Sequence, residues 1–410
     1  FFINLWRHAG IDMKTYDVAV VGGGPIGGFV ARNIAKKGYV VALFEEHKKI
    51  GTPLKCAGLI TPRVFDFLDF SKTKVVENEI YGAHIHSPSG NILTIGGDKR
   101  HALVIDRPQF DQEIMNDAED AGVDIHLGAK ASSVEKNNRH IELSIVQNEQ
   151  TTKTKSSLLI GADGPHSKIR STFDFPKPTE FLKGIGAKAE NTDLDPKYVE
   201  IFLGRNIAPG FFAWAIPTNK EGTEARVGLC IDNTSNNTLK QCFNNLLKHK
   251  SLQNITTTKH IAGTIPLGAL KKTTISNVML VGDAAAQVKP TSGGGVYPGI
   301  LCAKHCASVA LGALENRDFN SRVLRKYHKL WTNEIGRELS LGMKVRKIIK
   351  SLDDKKMDKY LEKINNEKNI DIICKYGDID YPSKLAFPLL KKNPSLVKLL
   401  PSAFRTIRKQ

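Results

Sequence analysis

Of the six cysteines in 410 residues, at 56, 230, 242, 302, 306 and 374, no two form a C-x-x-C pair. Neither a zinc site nor a disulfide framework is therefore indicated, and a reducing, cytoplasmic compartment is expected. No apolar run approaches the roughly 18 residues of a membrane span, so contact with a bilayer is expected only at its surface. Phe1–Asp12 lack the long apolar region of a signal peptide. Met13 stands immediately before the first patterned segment, and residues 1–12 are read as upstream of the natural start. Acid is the scarce charge: 42 Asp and Glu stand against 59 Lys and Arg, a net charge of +17. That balance points to a nucleic acid, an anionic membrane surface or an acidic substrate, and says little about fold. The length predicts two or three domains with ample core.

The densest signal lies between Tyr16 and Glu45. Val18 to Val21 is a short apolar run, as in a buried parallel strand. Gly22, Gly24 and Gly27 follow in G-x-G-x-x-G spacing, then a helix predicted over 26–37 and closed by Gly38. Val40 to Phe44 is a second strand, with Glu45 at its carboxyl end. In this order the pattern predicts a dinucleotide site. Gly22 makes the tight turn, Gly24 admits the pyrophosphate to the backbone, and Gly27 lets helix and strand pack closely. The helix N-terminus meets the phosphates, and Glu45 accepts from a ribose diol.

Gly51, Pro53 and Gly58 make the next stretch a loop. Cys56 sits there among small residues, either at the cofactor or as a small buried hydrophobe. Glu79 to Ile95 alternates around Pro88-Ser89-Gly90 and predicts a hairpin; His84 and His86, on one face, are expected to be exposed strand histidines. Arg107 precedes Pro108 at a helix start, where it can meet a phosphate or a flavin carbonyl, or pair with Asp106 or Asp111. Ser132 to Lys155 reads as a polar β-meander, and a buried strand then ends in Asp163-Gly164 ahead of Ser167 and a helix.

From Lys183 to Cys230 short alternating segments predict an antiparallel sheet. Phe212, Trp214 and Ile216 share one strand face, which either lines an apolar pocket or, as composition favours, forms core. Asn277 to Gly282 is another buried strand, and Asp283 follows where a ribityl or ribose hydroxyl could donate to it. Gly293, Gly294, Gly295 and Val296 lead into a helix. Their N–H groups and the helix dipole can face a ligand that turns negative on reduction, such as a flavin. Residues 341–410 carry 17 Lys and Arg against 8 Asp and Glu, and the segment from Lys384 mixes Leu and Phe with cations. It is read either as a membrane-surface segment or as a solvated helical cap.

Three distant pieces, the glycine-rich start, Asp163-Gly164, and Gly282-Asp283 with its glycines, together resemble the p-hydroxybenzoate-hydroxylase-type flavoproteins. Lys55-Cys56-Ala57 and Pro209-Gly210-x-Phe212-x-Trp214-x-Ile216-Pro217 resemble, within them, the geranylgeranyl reductase family. The resemblance implies an α/β fold, α+β overall, with a Rossmann-like FAD-binding domain at 13–75, 100–175 and 262–340. It implies an antiparallel-sheet substrate domain at 76–99 and 176–261, and a basic helical C-terminal region at 341–410. Carried over by residue, Gly22, Gly24, Gly27 and Glu45 bind the ADP half of FAD, Arg107 contacts the cofactor, and Asp283 holds its FMN half. Gly293 to Val296 face the isoalloxazine, Asp163 supports the site, and Cys56 and Ala57 lie beside the flavin. Phe212, Trp214 and Pro217 line an isoprenoid pocket. The implied activity is hydrogenation of C=C bonds in geranylgeranyl chains of membrane ether lipids, with Cys56 and, more weakly, Tyr297 as proton donors. The partners implied are an isoprenoid lipid, an electron donor (NAD(P)H or ferredoxin) and an anionic membrane surface that holds the protein peripherally, with no nucleic acid and no metal. Phe212-x-Trp214-x-Ile216-Pro217 also approaches the Trp-x-Trp-x-Ile-Pro of halogenases, so an oxygen-using monooxygenase or halogenase of the same fold is the alternative.

Overall fold

The computed structural model describes residues 13–54, 56–137, 140–233 and 237–392. Lys55 and the expectations placed on residues 1–12 and on the tail beyond 392 lie outside the described residues. Strand β1 (Lys14–Val21), helix α1 (Pro25–Ala35) and strand β2 (Val41–Glu45) open the fold. β1 pairs in parallel with β2 on one side, Val18 against Val41, and with Gln150–Gly161 on the other, Val18 against Leu158. Val278–Leu280 and Asp124–Leu127 extend this parallel sheet outward on either side. The chain therefore leaves the central β1 in both directions. The crevice at the carboxyl ends of strands, where the order reverses, is where such sheets bind ligands. Val18, Val20, Leu43, Leu158 and Ile160 are fully buried, which is why these strands read as continuous apolar runs.

Helix α1 starts with Pro25 at its first turn and ends at Gly38, whose φ of +85° lets its N–H reach the Ala35 carbonyl at 2.8 Å. It packs between helix α2 (Arg107–Asp120) and the helix Val296–Glu315. Gln150–Gly161 is one continuous strand. Its first half closes the polar meander with Ala129–Lys136 and Ile141–Gln147, and its second half enters the parallel sheet.

A second sheet runs Thr256–Leu267, Glu180–Glu190, Glu224–Ile231, Ala213–Pro217, Tyr198–Phe202, Gly82–His86, Ile92–Gly96. All neighbours are antiparallel except Tyr198–Phe202 with Gly82–His86, which is parallel. That pairing corrects the expectation of exposed histidines. His86 is 2% exposed, bonded to buried Glu200 and stacked on Phe202 at 4.6 Å, and His84 stacks on Tyr198 at 4.5 Å. The partner strand covers the face that looked free in the hairpin alone. Glu79 belongs to a separate three-stranded sheet of Leu59–Ile60, Val76–Ile80 and Ala102–Ile105.

Beyond residue 320 the chain is helical: Ser321–Trp331, Arg337–Ser351, Asp354–Ile364, Glu367–Tyr376 and Ser383–Lys392. These helices are stitched to both sheets. Asp378 takes both Arg63 Nη atoms at 2.8 Å, Asp358 accepts from Ser89 N at 3.0 Å, and Asp354 accepts from Arg205 N at 3.0 Å. Among the described residues no helix is long and apolar enough to cross a membrane.

Candidate active site

The carboxyl ends of β1 and β2 open into a cavity of about 3280 Å³. An ordinary small-molecule site measures roughly 300–1,000 Å³, so this volume accommodates a dinucleotide and a long chain together. The cavity begins at Gly24 and Glu45, passes Cys56, Arg107, Asp283 and Gly293–Val296, and ends against Phe212, Trp214 and Ile216. Helices Arg337–Ser351 and Asp354–Ile364 form part of its wall. The aromatic strand face thus lines the cavity, where composition alone favoured core.

Gly22 and Gly27 shape the phosphate turn from behind, outside the cavity lining. Gly22 has a φ of +111°, a conformation L side chains rarely adopt, and a Cβ on Gly27 would stand 1.9 Å from the Gly22 carbonyl oxygen. Gly24 faces open space, with nothing within 4 Å of where a Cβ would be. It precedes the first turn of α1, whose leading N–H groups have no intrahelical acceptor. Glu45 accepts from Gly23 N at 2.7 Å through Oε2 and from His47 N at 2.8 Å through Oε1, and the His47 ring lies 2.5 Å from Oε1. An ionised carboxylate offers about four acceptor sites, so one remains for a ribose hydroxyl.

Arg107 lies on the far wall. Its Nε and Nη2 donate to the two oxygens of Asp111 at 3.1 and 3.0 Å, and the Cys56 sulfur is within its hydrogen-bonding reach. Burial acts to lower the guanidinium's pKa, but the neighbouring Asp111 and Cys56 outweigh it and hold it above its ordinary value. Burial also raises the Asp111 carboxyl, against the pull of Arg107. The loop carrying Cys56 is pinned from the second sheet: Arg226 Nη1 donates to the Ala57 carbonyl at 3.2 Å and to the Ile105 carbonyl at 2.8 Å. Cys56 Sγ accepts from Gly58 N at 3.4 Å.

The glycine loop is closed by its own backbone. Gly293 N donates to the Lys289 carbonyl at 2.8 Å, and Lys289 N to the Gly294 carbonyl at 3.1 Å. This presents Gly293, Gly294 and Gly295 at the start of a 20-residue helix. Asp283 stands across from them; a Cβ on Gly295 would lie 3.0 Å from its Oδ1.

Three expected site residues stand back from the cavity. Asp163 accepts from Ile169 N at 3.0 Å and caps the short helix Lys168–Thr172. Pro217 is the buried last residue of its strand, its carbonyl taking Asn78 Nδ2 at 3.0 Å. Tyr297 is 7% exposed, and its hydroxyl meets that of Tyr381 at 2.8 Å instead of facing the cavity. Asp111, His47, Lys289 and the lining helices were not legible as site residues. Asp111 alone had a signal, its i,i+4 spacing from Arg107.

The residues present fit FAD. The Asp283 carboxyl lines the cavity with no protein hydrogen bond among the described residues, as a ribityl-binding acid would; Gly24 leaves room for a pyrophosphate; and the glycine loop offers backbone N–H groups. A family model for an FAD binding domain matches residues 15–329. The chain belongs to that FAD-binding family. A Methanocaldococcus jannaschii protein named only as uncharacterized is 34% identical over 384 residues, 93% of this chain and 96% of that one. A digeranylgeranylglycerophospholipid reductase of the same organism is 29% identical over 394 residues, 93% and 97% of the two chains. The crystal structure of a geranylgeranyl bacteriochlorophyll reductase-like protein from Thermoplasma acidophilum superposes with a TM-score of 0.85 at 26% identity, covering 94% and 98%. The chain is thus an FAD-dependent oxidoreductase of geranylgeranyl-reductase type.

Asp283 carries a cost that exposes its role. Burial pushes its carboxyl up to about 6, against the lowering pull of Arg107. A folded-state pKa above the unfolded value means the folded protein binds the extra proton between pH 4 and 6, so stability falls as pH rises through that window. From the ordinary 3.8 to about 6, at 1.36 kcal/mol per unit, the penalty at neutral pH reaches about 3 kcal/mol. Flavin-free Asp283→Asn is therefore expected to be more stable than the parent at pH 7 and similar at pH 4, while binding FAD more weakly. Urea unfolding at the two pH values with FAD titration checks this; an asparagine variant less stable at pH 7 contradicts it.

Proposed function

We propose that the protein hydrogenates isolated C=C bonds of geranylgeranyl chains carried by membrane ether lipids. The observation that carries this reading is the single cavity joining the dinucleotide turn, the glycine loop and the wall of Phe212, Trp214 and Ile216. Each buried methylene contributes about 0.8 kcal/mol, so a long apolar wall favours a long chain. The helix Arg337–Ser351 turns Arg337, Lys344 and Lys347 toward the cavity beside Leu341, Val345 and Ile348. That arrangement suits an apolar chain ending in an anionic headgroup.

Reduced FAD, when bound, supplies a hydride to one alkene carbon. The chain's own work is to hold the alkene in place, exclude water and deliver a proton to the second carbon. Cys56 lines the cavity beside Arg107 and is the proton donor in this reading, with the guanidinium placed to hold the thiolate left behind. Tyr297, bonded to Tyr381 behind the wall, has no part in that delivery. Cys56→Ala is expected to keep FAD and to lower the reduction rate by about 100-fold, within the range general acids contribute. Turnover at the parental rate would leave Cys56 a packing residue.

The decisive experiment is anaerobic. Reduced holoenzyme mixed with a geranylgeranyl lipid should reoxidise without oxygen and yield the saturated chain; reoxidation only on adding oxygen would favour the monooxygenase reading. Electrons come from NAD(P)H or a ferredoxin, and stopped-flow reduction with each decides between them. The lipid substrate also implies peripheral membrane attachment. Sedimentation with anionic vesicles should fall steeply from low to high salt, since each basic residue near such a surface contributes about 1 kcal/mol and is screened. Binding that ignores salt would remove electrostatics as the cause.

A further inference from the structure

Lys289 has no place in the reading above, yet it stands at the cavity's most constrained point. Its side chain is 8% exposed and lines the cavity, passing so close to Gly294 that a Cβ there would meet Lys289 Cε at 2.9 Å and Nζ at 3.4 Å. Its ammonium donates to Asp380 Oδ1 at 2.7 Å. Asp380 is 1% exposed and comes from the segment linking the last two helices. Its other oxygen accepts from Arg63 Nη1 at 3.0 Å, and Arg63 also takes Asp378, which Lys384 reaches at 3.0 Å. Asp380 is thus shared between two cations, and the charge of Lys289 is only partly neutralised. A cation buried in a cavity wall acts with far more force than one in water.

We propose that Lys289 is the positioning charge that sets the reduction potential of the bound flavin, and that Asp380 sets how much of that charge the flavin feels. This rests on the reading that Gly293–Val296 face the isoalloxazine. Two-electron reduction with uptake of one proton, FAD + 2e⁻ + H⁺ → FADH⁻, leaves the cofactor one charge more negative, the electrons coming from the external donor. A fixed cation beside the loop stabilises the more negative form. A fixed anion behind that cation opposes it. The C-terminal segment thereby becomes part of the redox site without touching the cavity.

The two residues predict opposite signs. Lys289→Met should make the potential more negative, lowering the two-electron equilibrium constant at least tenfold, or about 30 mV. Asp380→Asn should make it more positive, and Lys289→Arg should stay near the parent. Flavin content is measured first, then potentials are read by dithionite titration of each holoenzyme against a reference dye. Shifts of opposite sign support the proposal. Unchanged potentials, or shifts of one sign as general loosening would give, overturn it. Should Lys289→Met fail to retain flavin, Asp380→Asn decides alone, because Asp380 does not line the cavity; an unchanged or more negative potential there overturns the proposal. Parental protein without FAD overturns the cofactor assignment itself, and is told apart by that first measurement.

Discussion

Gly27→Ala should yield folded protein that has lost FAD. The added methyl would lie 1.9 Å from the Gly22 carbonyl oxygen, where real contacts do not fall below 3.0 Å, and 3.3 Å from Ala162 Cβ. Neither neighbour can yield. Gly22 is held by its N–H to the Phe44 carbonyl at 2.9 Å, and any Cβ of its own would meet the Ala162 carbonyl at 2.3 Å. Helix α1 must therefore withdraw by about an ångström, at an overpacking cost of about 1–3 kcal/mol. Its N-terminal N–H groups move with it. A 1 Å misplacement of a binding group costs on the order of 100-fold, and FAD affinity should fall by at least that much. Gly24→Ala is the control: it meets open space, so stability should hold while affinity falls, because the methyl occupies the pyrophosphate's approach. Equal FAD content in Gly27→Ala and the parent would refute the packing argument.

What the sequence made legible follows from the range of the interactions involved. The dinucleotide turn is local: a strand, three glycines, a helix and an acid within thirty residues, each forced by backbone geometry. Asp283 and the glycine loop were legible for the same reason. Residues that act across the fold were not. The pairing of His86 with Glu200 depends on a parallel strand contact between segments more than a hundred residues apart, which no hairpin pattern announces. Tyr297 looked available because it opens a helix beside the glycines; its partner Tyr381 lies in the C-terminal segment. That segment's excess of lysine gave no sign that Asp378 and Asp380 would be buried against Arg63 and Lys289. Phe212, Trp214 and Ile216 were correctly placed on one face, yet alternation along a strand cannot say whether that face meets core or cavity.

The same long-range stitching gives the last prediction its size. Arg346 is 4% exposed, and its guanidinium is fully engaged. Nε and Nη2 donate to the two oxygens of Glu180 at 2.9 and 2.7 Å, Nη1 donates to the Gly210 carbonyl at 2.8 Å, and the group lies 5.2 Å over the Phe211 ring. Burial acts to raise the Glu180 carboxyl, but Arg346 and then Lys350 outweigh it and hold it below the ordinary value. A lowered carboxyl stabilises above its unfolded pKa, and that contribution is lost as pH falls below the carboxylate range. Removing one partner of a buried pair costs about 3–5 kcal/mol; Lys350, 3.2 Å from Glu180, holds the loss near the lower end. Arg346→Met should therefore destabilise by about 3 kcal/mol at pH 7 and by less at pH 3. Arg346→Lys should rescue only part, since an ammonium cannot reproduce the planar fork. The Gly210 carbonyl precedes the aromatic wall, so reduction of long-chain lipid should fall while the flavin spectrum stays intact. Pairing Arg346→Met with Glu180→Leu should recover stability, because no uncompensated charge is left buried, but not activity. A double variant no more stable than Arg346→Met would show that Gly210 and Phe211, and not Glu180, are what Arg346 chiefly holds.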